Sequence, residues 1–267
     1  MHPYELEYTK LVQECLASPD RNTRNGLTRS LFGYQLKVNL ADGFPLLVGR
    51  KMFYKGVFGE LAAILRGPKH INDFKKWGCN YWDQWAAEDG SINVDYGNAW
   101  LDYNGVNQLE ELRNALKNDP TSRRMIINGW RPDRLKDLSL PCCHYGYQFY
   151  VNDNVLSMVW IQRSVDVMVG LPSDVAFAAA MVIMIANEFG FEPGVITMQL
   201  GDCHVYNEHI EGAKQYIDSV YSIAKTTQVP SYTLYAPAGT RFETFEPDFI
   251  GISNYHPFSS IKFLLKE

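Results

Sequence analysis

Cys143 is followed directly by His144 in the run Cys142-Cys143-His144. A thiol beside an imidazole can act as a nucleophile, because the thiolate is the reactive form and a nearby base or cation favours it. A cysteine at the start of a strand is also an ordinary small buried hydrophobe, so Cys143 alone does not decide between the two. Its surroundings carry more weight. Arg163-Ser164 closes the strand expected to pair with that of Cys143, and Arg123-Arg124 opens another. Three guanidiniums aimed at one site would hold a phosphate through paired, charge-assisted hydrogen bonds. Cys142-Cys143-His144 and Cys203-His204 also admit a zinc reading, but neighbouring strand residues face opposite sides, so Cys142 and Cys143 would not share one ion. No metal is therefore expected. The chain has no G-x-G-x-x-G, G-x-x-x-x-G-K-[ST], G-x-S-x-G or H-E-x-x-H, which removes the common cofactor-binding and hydrolase signatures.

The elements that must position these residues can be read from apolar spacing. Tyr4, Tyr8, Leu11, Val12 and Cys15 recur at helical spacing and stop before Ser18-Pro19. Asp20 to Asn25 reads as an exposed loop, and Ser30 to Leu40 as a strand closed by Asp42-Gly43. Gly56 to Leu65 and Gln108 to Leu116 are expected helices. Arg124 to Trp130, His144 to Val151 and Val155 to Gln162 are expected strands, the last two joined as a hairpin across Asn152-Asp153-Asn154. Val175 to Ala186 is apolar on every side and follows Pro172-Ser173-Asp174, so it reads as a helix buried on all faces, with Asp174 placed to cap it. Val195 to Leu200 is a strand, Asn207 to Ala224 a long amphipathic helix, and the tail returns to short strands. Strands segregated from helices indicate an α+β fold rather than a regular βαβ alternation.

The 267 residues carry 25 Lys+Arg against 30 Asp+Glu, a net charge of −5, which argues against a nucleic-acid binder. The longest uninterrupted apolar stretch, 175–186, is too short to cross a membrane, and the opening MHPYELEYTK is not a secretory signal. Five scattered cysteines are unlike a disulfide framework. With no linker, low-complexity tract or repeat, residues 1–267 are expected to form a single cytoplasmic domain.

Taken together, several motifs resemble the thymidylate synthase and dCMP hydroxymethylase superfamily. Cys143-His144-Tyr145-Gly146-Tyr147-Gln148-Phe149-Tyr150-Val151 is similar to its catalytic strand. Gln162-Arg163-Ser164-Val165-Asp166-Val167 with Gly170-Leu171-Pro172, Gly201-Asp202-Cys203-His204-Val205-Tyr206, Asp119-Pro120-Thr121-Ser122-Arg123-Arg124, Trp82-Asp83-Gln84-Trp85 and Tyr96-Gly97 match in the family's order. The resemblance runs from the first expected helix to about Lys262. It implies a mixed β-sheet forming a dimer interface, a central buried helix, a pyrimidine nucleoside monophosphate substrate and 5,10-methylenetetrahydrofolate as co-substrate. Cys143 would add to carbon 6 of the base, making carbon 5 a nucleophilic enamine. Arg24, Arg123, Arg124 and Arg163, with Ser164, would hold the 5′-phosphate, Arg123 and Arg124 reaching across from the second subunit of a homodimer. His204 and Tyr206 would bond the sugar 3′-hydroxyl. Glu60 would run the proton and water network, with His144 and Tyr96 contributing. Trp82, Asp166 and Gly170 would contact the folate.

Two departures narrow the expectation. After Gly170-Leu171-Pro172 the synthases have Phe then Asn, and the Asn pairs with uracil; here the residues are Ser173 and Asp174. Uracil presents a donor at nitrogen 3 and an acceptor at carbon 4, whereas cytosine presents the reverse. A carboxyl group can accept from cytosine's 4-amino group and share a proton with nitrogen 3. Asn would cap a helix equally well, so capping does not account for the exchange. In this position the chain resembles the dCMP hydroxymethylases. The second departure is the tail, Ile261-Lys262-Phe263-Leu264-Leu265-Lys266-Glu267, which ends in two charged residues where the synthases close the site with an apolar segment. With Ser173 thinning the folate wall, water is expected to reach an exocyclic methylene on the base and give a hydroxymethyl product. Cys142 stands where the synthases have Pro. The expected activity is dCMP hydroxymethylase; dCMP methylase, thymidylate synthase and CMP hydroxymethylase are the alternatives.

Overall fold

The computed structural model describes residues 1–223 and 227–266. Helix α1 spans Pro3–Ala17, with proline in its first turn and the His2 imidazole accepting from Tyr4 N. A six-stranded mixed sheet in the order β1-β2-β6-β5-β4-β3 carries most of the site. Its strands are β1 (Asp20–Thr23), β2 (Gly26–Asn39), β3 (Ile126–Asn128), β4 (His144–Asn152), β5 (Val155–Asp166) and β6 (Glu192–Tyr206). Among the described strands only β5 and β6 run parallel, joined by helix α6 (Gly170–Phe189), as a parallel pair requires a crossover. The remaining helices are α2 (Tyr54–Ile64), α3 (Ile71–Lys75), α4 (Asn98–Leu101), α5 (Gln108–Asn118) and α7 (Ile210–Tyr221), and β7 (Ser231–Leu234) pairs with β8 (Ile250–Ser253).

Helix α6 is apolar all round because it lies in the core, packed against β5, β6 and α2. It is long and apolar enough to meet the composition test for a membrane span, but 78% of that window is buried inside the protein, the pattern of a core helix. It begins at Gly170, five residues before the expected Val175, so Asp174 lies inside the helix and does not cap it. No side chain caps the helix; Asp166 Oδ1 accepts from Met168 N at 2.8 Å and Val169 N at 3.1 Å in the turn just before it. Proline and Ser-Asp in a first turn are compatible with helix, which is why the sequence pattern alone places the start too late.

Residues Asp20–Thr23, expected as a loop, form an edge strand exposed at all four positions. With no buried face it carries no apolar alternation to reveal it. The strands β5 and β6 run four and six residues beyond their expected C-terminal ends, into the polar motifs. The expected strand 124–130 shrinks to Ile126–Asn128. The β4–β5 hairpin is as expected, with Asp153 and Asn154 at φ 48° and 64°, as a two-residue turn of this type needs. Helix α7 starts after a 3₁₀ turn at Asn207–His209; the expected end at Ala224 lies outside the described residues.

Candidate active site

The polar ends of β4, β5 and β6 and the first turn of α6 meet where the expected chemistry was placed. Cys143 precedes β4, is half-buried, and its carbonyl accepts from Arg163 N at 2.9 Å. The Tyr96 hydroxyl accepts from Cys143 N at 2.6 Å, and Arg163 Nη2 lies 4.0 Å from Cys143 Sγ. Arg163 is itself aimed by Cys142 O at 2.9 Å and Pro141 O at 3.1 Å. Burial pushes the Cys143 thiol up, while the Arg163 charge and Tyr96 pull it down and a charge on Asp174 would push it up further. The cation beside the thiol is therefore Arg163 and not His144. The His144 imidazole is buried, pairs through Nδ1 with the Tyr147 hydroxyl at 2.6 Å, and is driven down to about 3 by burial, so it is neutral. Cys142 turns elsewhere: its Sγ lies beside Gly129, and among the described residues no three metal-ligating side chains converge.

Two carboxyls stand nearby: Asp174, whose charge bears on the thiol, and Glu60, whose charge bears on Asp174. Glu60, on α2, accepts from Tyr81 Oη at 2.8 Å and Trp82 Nε1 at 2.7 Å, and burial lifts it to about 7. Helix α2 can approach the Trp77–Trp82 segment because position 59 is Gly; a Cβ there would lie 2.2 Å from Trp77 O. Likewise Tyr96 is set by Gly97 at φ 74°, where a Cβ would lie 1.8 Å from Ile64 O. Asp174 accepts through Oδ2 from Gln162 Nε2 at 2.8 Å, and burial raises it to about 8, with Glu60 and Asp166 pushing the same way.

The sugar candidates and Asp166 lie along the ends of β5 and β6, with Gly170 at the start of α6 and Trp82 just before a 3₁₀ turn at Asp83–Trp85. In the parallel register Ser164 is opposite Asp202 and Asp166 opposite His204. His204 Nδ1 pairs with Asp202 Oδ1 at 3.1 Å, and Asp202 Oδ2 accepts from Arg21 Nη1 at 2.6 Å. Tyr206 lies edge-on to His204 at 5.1 Å. Trp82 is buried, stacked on Phe74 at 4.7 Å and tilted against Trp85 at 5.0 Å. Asp166 Oδ2 is a buried acceptor with no hydrogen-bond partner, 3.7 Å from His209 Nδ1. Beside Gly170 a Cβ would meet only Asp174 Oδ2, at 3.6 Å. An unpaired buried acceptor, an aromatic wall and an open glycine fit a flat ligand with N–H donors, as a folate head group is.

The phosphate candidates are not brought together within one chain. Arg163 stands beside Cys143, and Arg24 lies exposed in the β1–β2 turn, its Nε bonded to Asn25 Oδ1 at 3.0 Å. Phe149 N donates to Met125 O, so Arg124 lies opposite Tyr150, at the end of β4 remote from Cys143. Seven strand residues separate the two, about 23 Å at ~3.3 Å per residue. Arg123 and Arg124 are exposed and have no ion pair among the described residues. Residues not anticipated as functional are Tyr81, Gln162, Trp160, Asp202 and His209. Gln162 and Asp202 sit inside the quoted motifs, but a hydrogen bond to another motif's side chain has no signature in spacing.

A half-buried thiol flanked by a guanidinium beside strand β4 of a mixed sheet, with carboxyls on the adjoining helices α2 and α6, is an arrangement suited to covalent catalysis. The chain matches the thymidylate synthase family over residues 5–266. It is 39% identical, over 220 residues, to a thymidylate synthase of Corynebacterium aurimucosum, covering 80% of this chain and 81% of that protein. The chain belongs to the thymidylate synthase family, whose members carry out one-carbon transfer to a pyrimidine nucleoside monophosphate with methylenetetrahydrofolate as co-substrate.

Proposed function

We propose that the chain is a dCMP hydroxymethylase, converting dCMP, methylenetetrahydrofolate and water to 5-hydroxymethyl-dCMP and tetrahydrofolate. The observation that carries this reading is Asp174: it caps nothing, accepts from Gln162, and holds its proton up to about pH 8. A carboxyl that is neutral in the free site can give its proton to nitrogen 3 of cytosine and, as a carboxylate, accept from the 4-amino group. Uracil can pair with the neutral carboxyl through its own N–H at nitrogen 3 and its oxygen at carbon 4, but it has no basic ring nitrogen to take the proton, so Asp174 cannot activate it in the same way.

The Cys143 thiolate then forms a bond to carbon 6. The C5=C6 electron pair moves to C4=C5, and the C4=N3 pair moves to nitrogen 3, which already holds the proton from Asp174. Before the base binds, the proton on Asp174 also removes the negative charge that would oppose formation of the thiolate. Arg163 favours the thiolate and, with Arg24 and Ser164, faces the 5′-phosphate. His204, kept in one orientation by Asp202, and Tyr206 bond the sugar. Glu60, ionising near 7, accepts and returns protons at the water beside the base. Methylenetetrahydrofolate supplies the one-carbon unit that joins carbon 5, and Trp82, Asp166 and Gly170 hold it. Ser173 bonds back to Val169 O at 3.4 Å and fills little of that wall, which supports access of water and a hydroxymethyl product.

The functional unit is a cytoplasmic homodimer. The outer face of the sheet presents Phe32 (87% exposed), Ile126 and Tyr150 to solvent in one chain, an apolar surface of the kind that marks an interface. A partner docked there can bring its Arg123 and Arg124 to the phosphate. Incubation with methylenetetrahydrofolate and dCMP, dUMP or CMP, with products weighed by mass spectrometry, tests the function. A dCMP product heavier by CH₂O, without dihydrofolate, supports it. A product heavier by CH₂ with dihydrofolate formed, or turnover of dUMP alone, refutes it.

A further inference from the structure

Trp160 is fully buried on β5, two residues before Gln162 and on the same face of the strand. Its ring is fixed by His144 at 4.3 Å, Tyr147 at 5.0 Å and Phe177 at 5.9 Å. Its Nε1 donates to Gln162 Oε1 at 3.0 Å. An indole N–H can only donate, so the atom of Gln162 facing it is the carbonyl oxygen. The other end gives the same answer independently: Gln162 Nε2 donates to Ser164 O at 3.3 Å, and a carbonyl oxygen can only accept. The carboxamide of Gln162 is thus held in one of its two orientations, with its NH₂ towards Asp174 Oδ2 at 2.8 Å.

We propose that Trp160 is a specificity-determining positioning residue: by locking Gln162 as a donor, it obliges residue 174 to present an acceptor and so favours transfer of the Asp174 proton to the base. This rests on the reading of Asp174 as the cytosine contact. Before transfer, Gln162 donates to a neutral carboxyl. Afterwards it donates to a carboxylate, and a hydrogen bond to a charged acceptor is roughly twice as strong. The bond therefore strengthens along the reaction, as nitrogen 3 becomes protonated and carbon 6 becomes open to Cys143. An interaction that grows towards the transition state acts on kcat more than on KM. If Gln162 were free to turn its oxygen towards Asp174, it would hold the proton on the carboxyl and oppose the transfer.

The test is Trp160→Phe, which keeps an aromatic ring and removes only the N–H, alongside Gln162→Glu, which keeps an acceptor for Trp160 but replaces the donor facing Asp174. Trp160→Phe is expected to lower kcat on dCMP about tenfold to a hundredfold with KM changed by less than about threefold. Gln162→Glu is expected to lose more. Because the bond from Gln162 favours ionised Asp174, its loss should also move the alkaline limb of the pH–rate profile to higher pH, which a mere packing defect would not do. Thermal unfolding checks that each variant is folded; if Trp160→Phe is not, Gln162→Glu is read alone. An unmoved limb with kcat within about twofold of the parent, in whichever variant is read, overturns the proposal. Running dCMP and dUMP in parallel separates the two claims. Preference of the parent for dUMP defeats the cytosine reading, while the shift of the limb still reports whether Trp160 acts through Gln162.

Discussion

The two ends of the proposed nucleotide site are built from opposite materials. At the base end, Asp174, Gln162, Trp160, Glu60 and His144 sit in the protein interior or at its edge, each tied to a named partner, and burial has moved the ionisation of the three titratable ones. At the phosphate end, Arg24, Arg123, Arg124 and Arg163 are exposed, and only Arg163 is tied to the strand beside the nucleophile. A phosphate is recognised by permanent positive charge, so its ligands can wait in solvent and come from more than one chain. A base is recognised by where protons lie, which requires groups whose protons are held in place by burial and hydrogen bonds.

The strongest break falls where the two ends meet. Cys143→Ser is expected to lower kcat by more than about a thousandfold while nucleotide binding is largely kept, because a hydroxyl at its ordinary pKa is a far weaker nucleophile than a thiolate. Binding by calorimetry and turnover by product mass would check both halves; Cys142→Ser with the same loss, beside an active Cys143→Ser, would move the nucleophile to Cys142. At the phosphate end, Arg124→Ala is expected to cost about tenfold to a hundredfold in kcat/KM, as loss of a charge-assisted pair does. Mixing it with Cys143→Ser protein should recover part of the activity through hybrid dimers, since one site in each would then have an intact Cys143 and a partner's intact Arg124. No recovery, with subunit exchange verified by mass spectrometry, would return Arg124 to its own chain's surface.

The same contrast explains what the sequence disclosed. The arginines, Cys143 and the Gly201–Tyr206 run stand out as candidates in the sequence because each is a short run whose residue types can carry the proposed chemistry. The α+β class, the buried α6 and the β4–β5 hairpin were legible from apolar patterning and the Asp153-Asn154 turn. The start of α6 was not, since Gly170, Leu171 and Pro172 read as a loop and no side chain caps the helix, Asp166 bonding only the N–H groups of Met168 and Val169 just ahead of it. The edge strand β1 was not, because none of its residues is buried. Nor was the Trp160–Gln162–Asp174 chain, which joins β5 to α6 through side chains alone. Asp174 itself was found as a departure from a family pattern; its proton became visible only through its burial.

A smaller effect isolates that burial from catalysis. In the unfolded chain Asp174 ionises near 4, whereas in the fold it holds its proton to about 8. The folded state therefore binds the proton more tightly, and this group lowers stability progressively as pH rises from about 4 to about 8. Asp174→Asn has no proton to lose, so its Tm should exceed that of the parent by a few degrees at pH 8 and the gain should shrink towards pH 4. A difference in Tm that does not depend on pH would show that Asp174 is not held neutral.

The central claim is that base choice lies in the proton of Asp174. It is tested most directly by kcat/KM for dCMP and for dUMP in the parent and in Asp174→Asn, measured across pH. The parent should favour dCMP, with an alkaline limb near 8 on that substrate. Asp174→Asn should lose that limb and shift the ratio towards dUMP by about tenfold to a hundredfold, the effect of one mispaired buried polar group worth about 1–3 kcal/mol. A parent that favours dUMP with Asp174 in place, or an Asp174→Asn protein that keeps both the ratio and the limb, would contradict it.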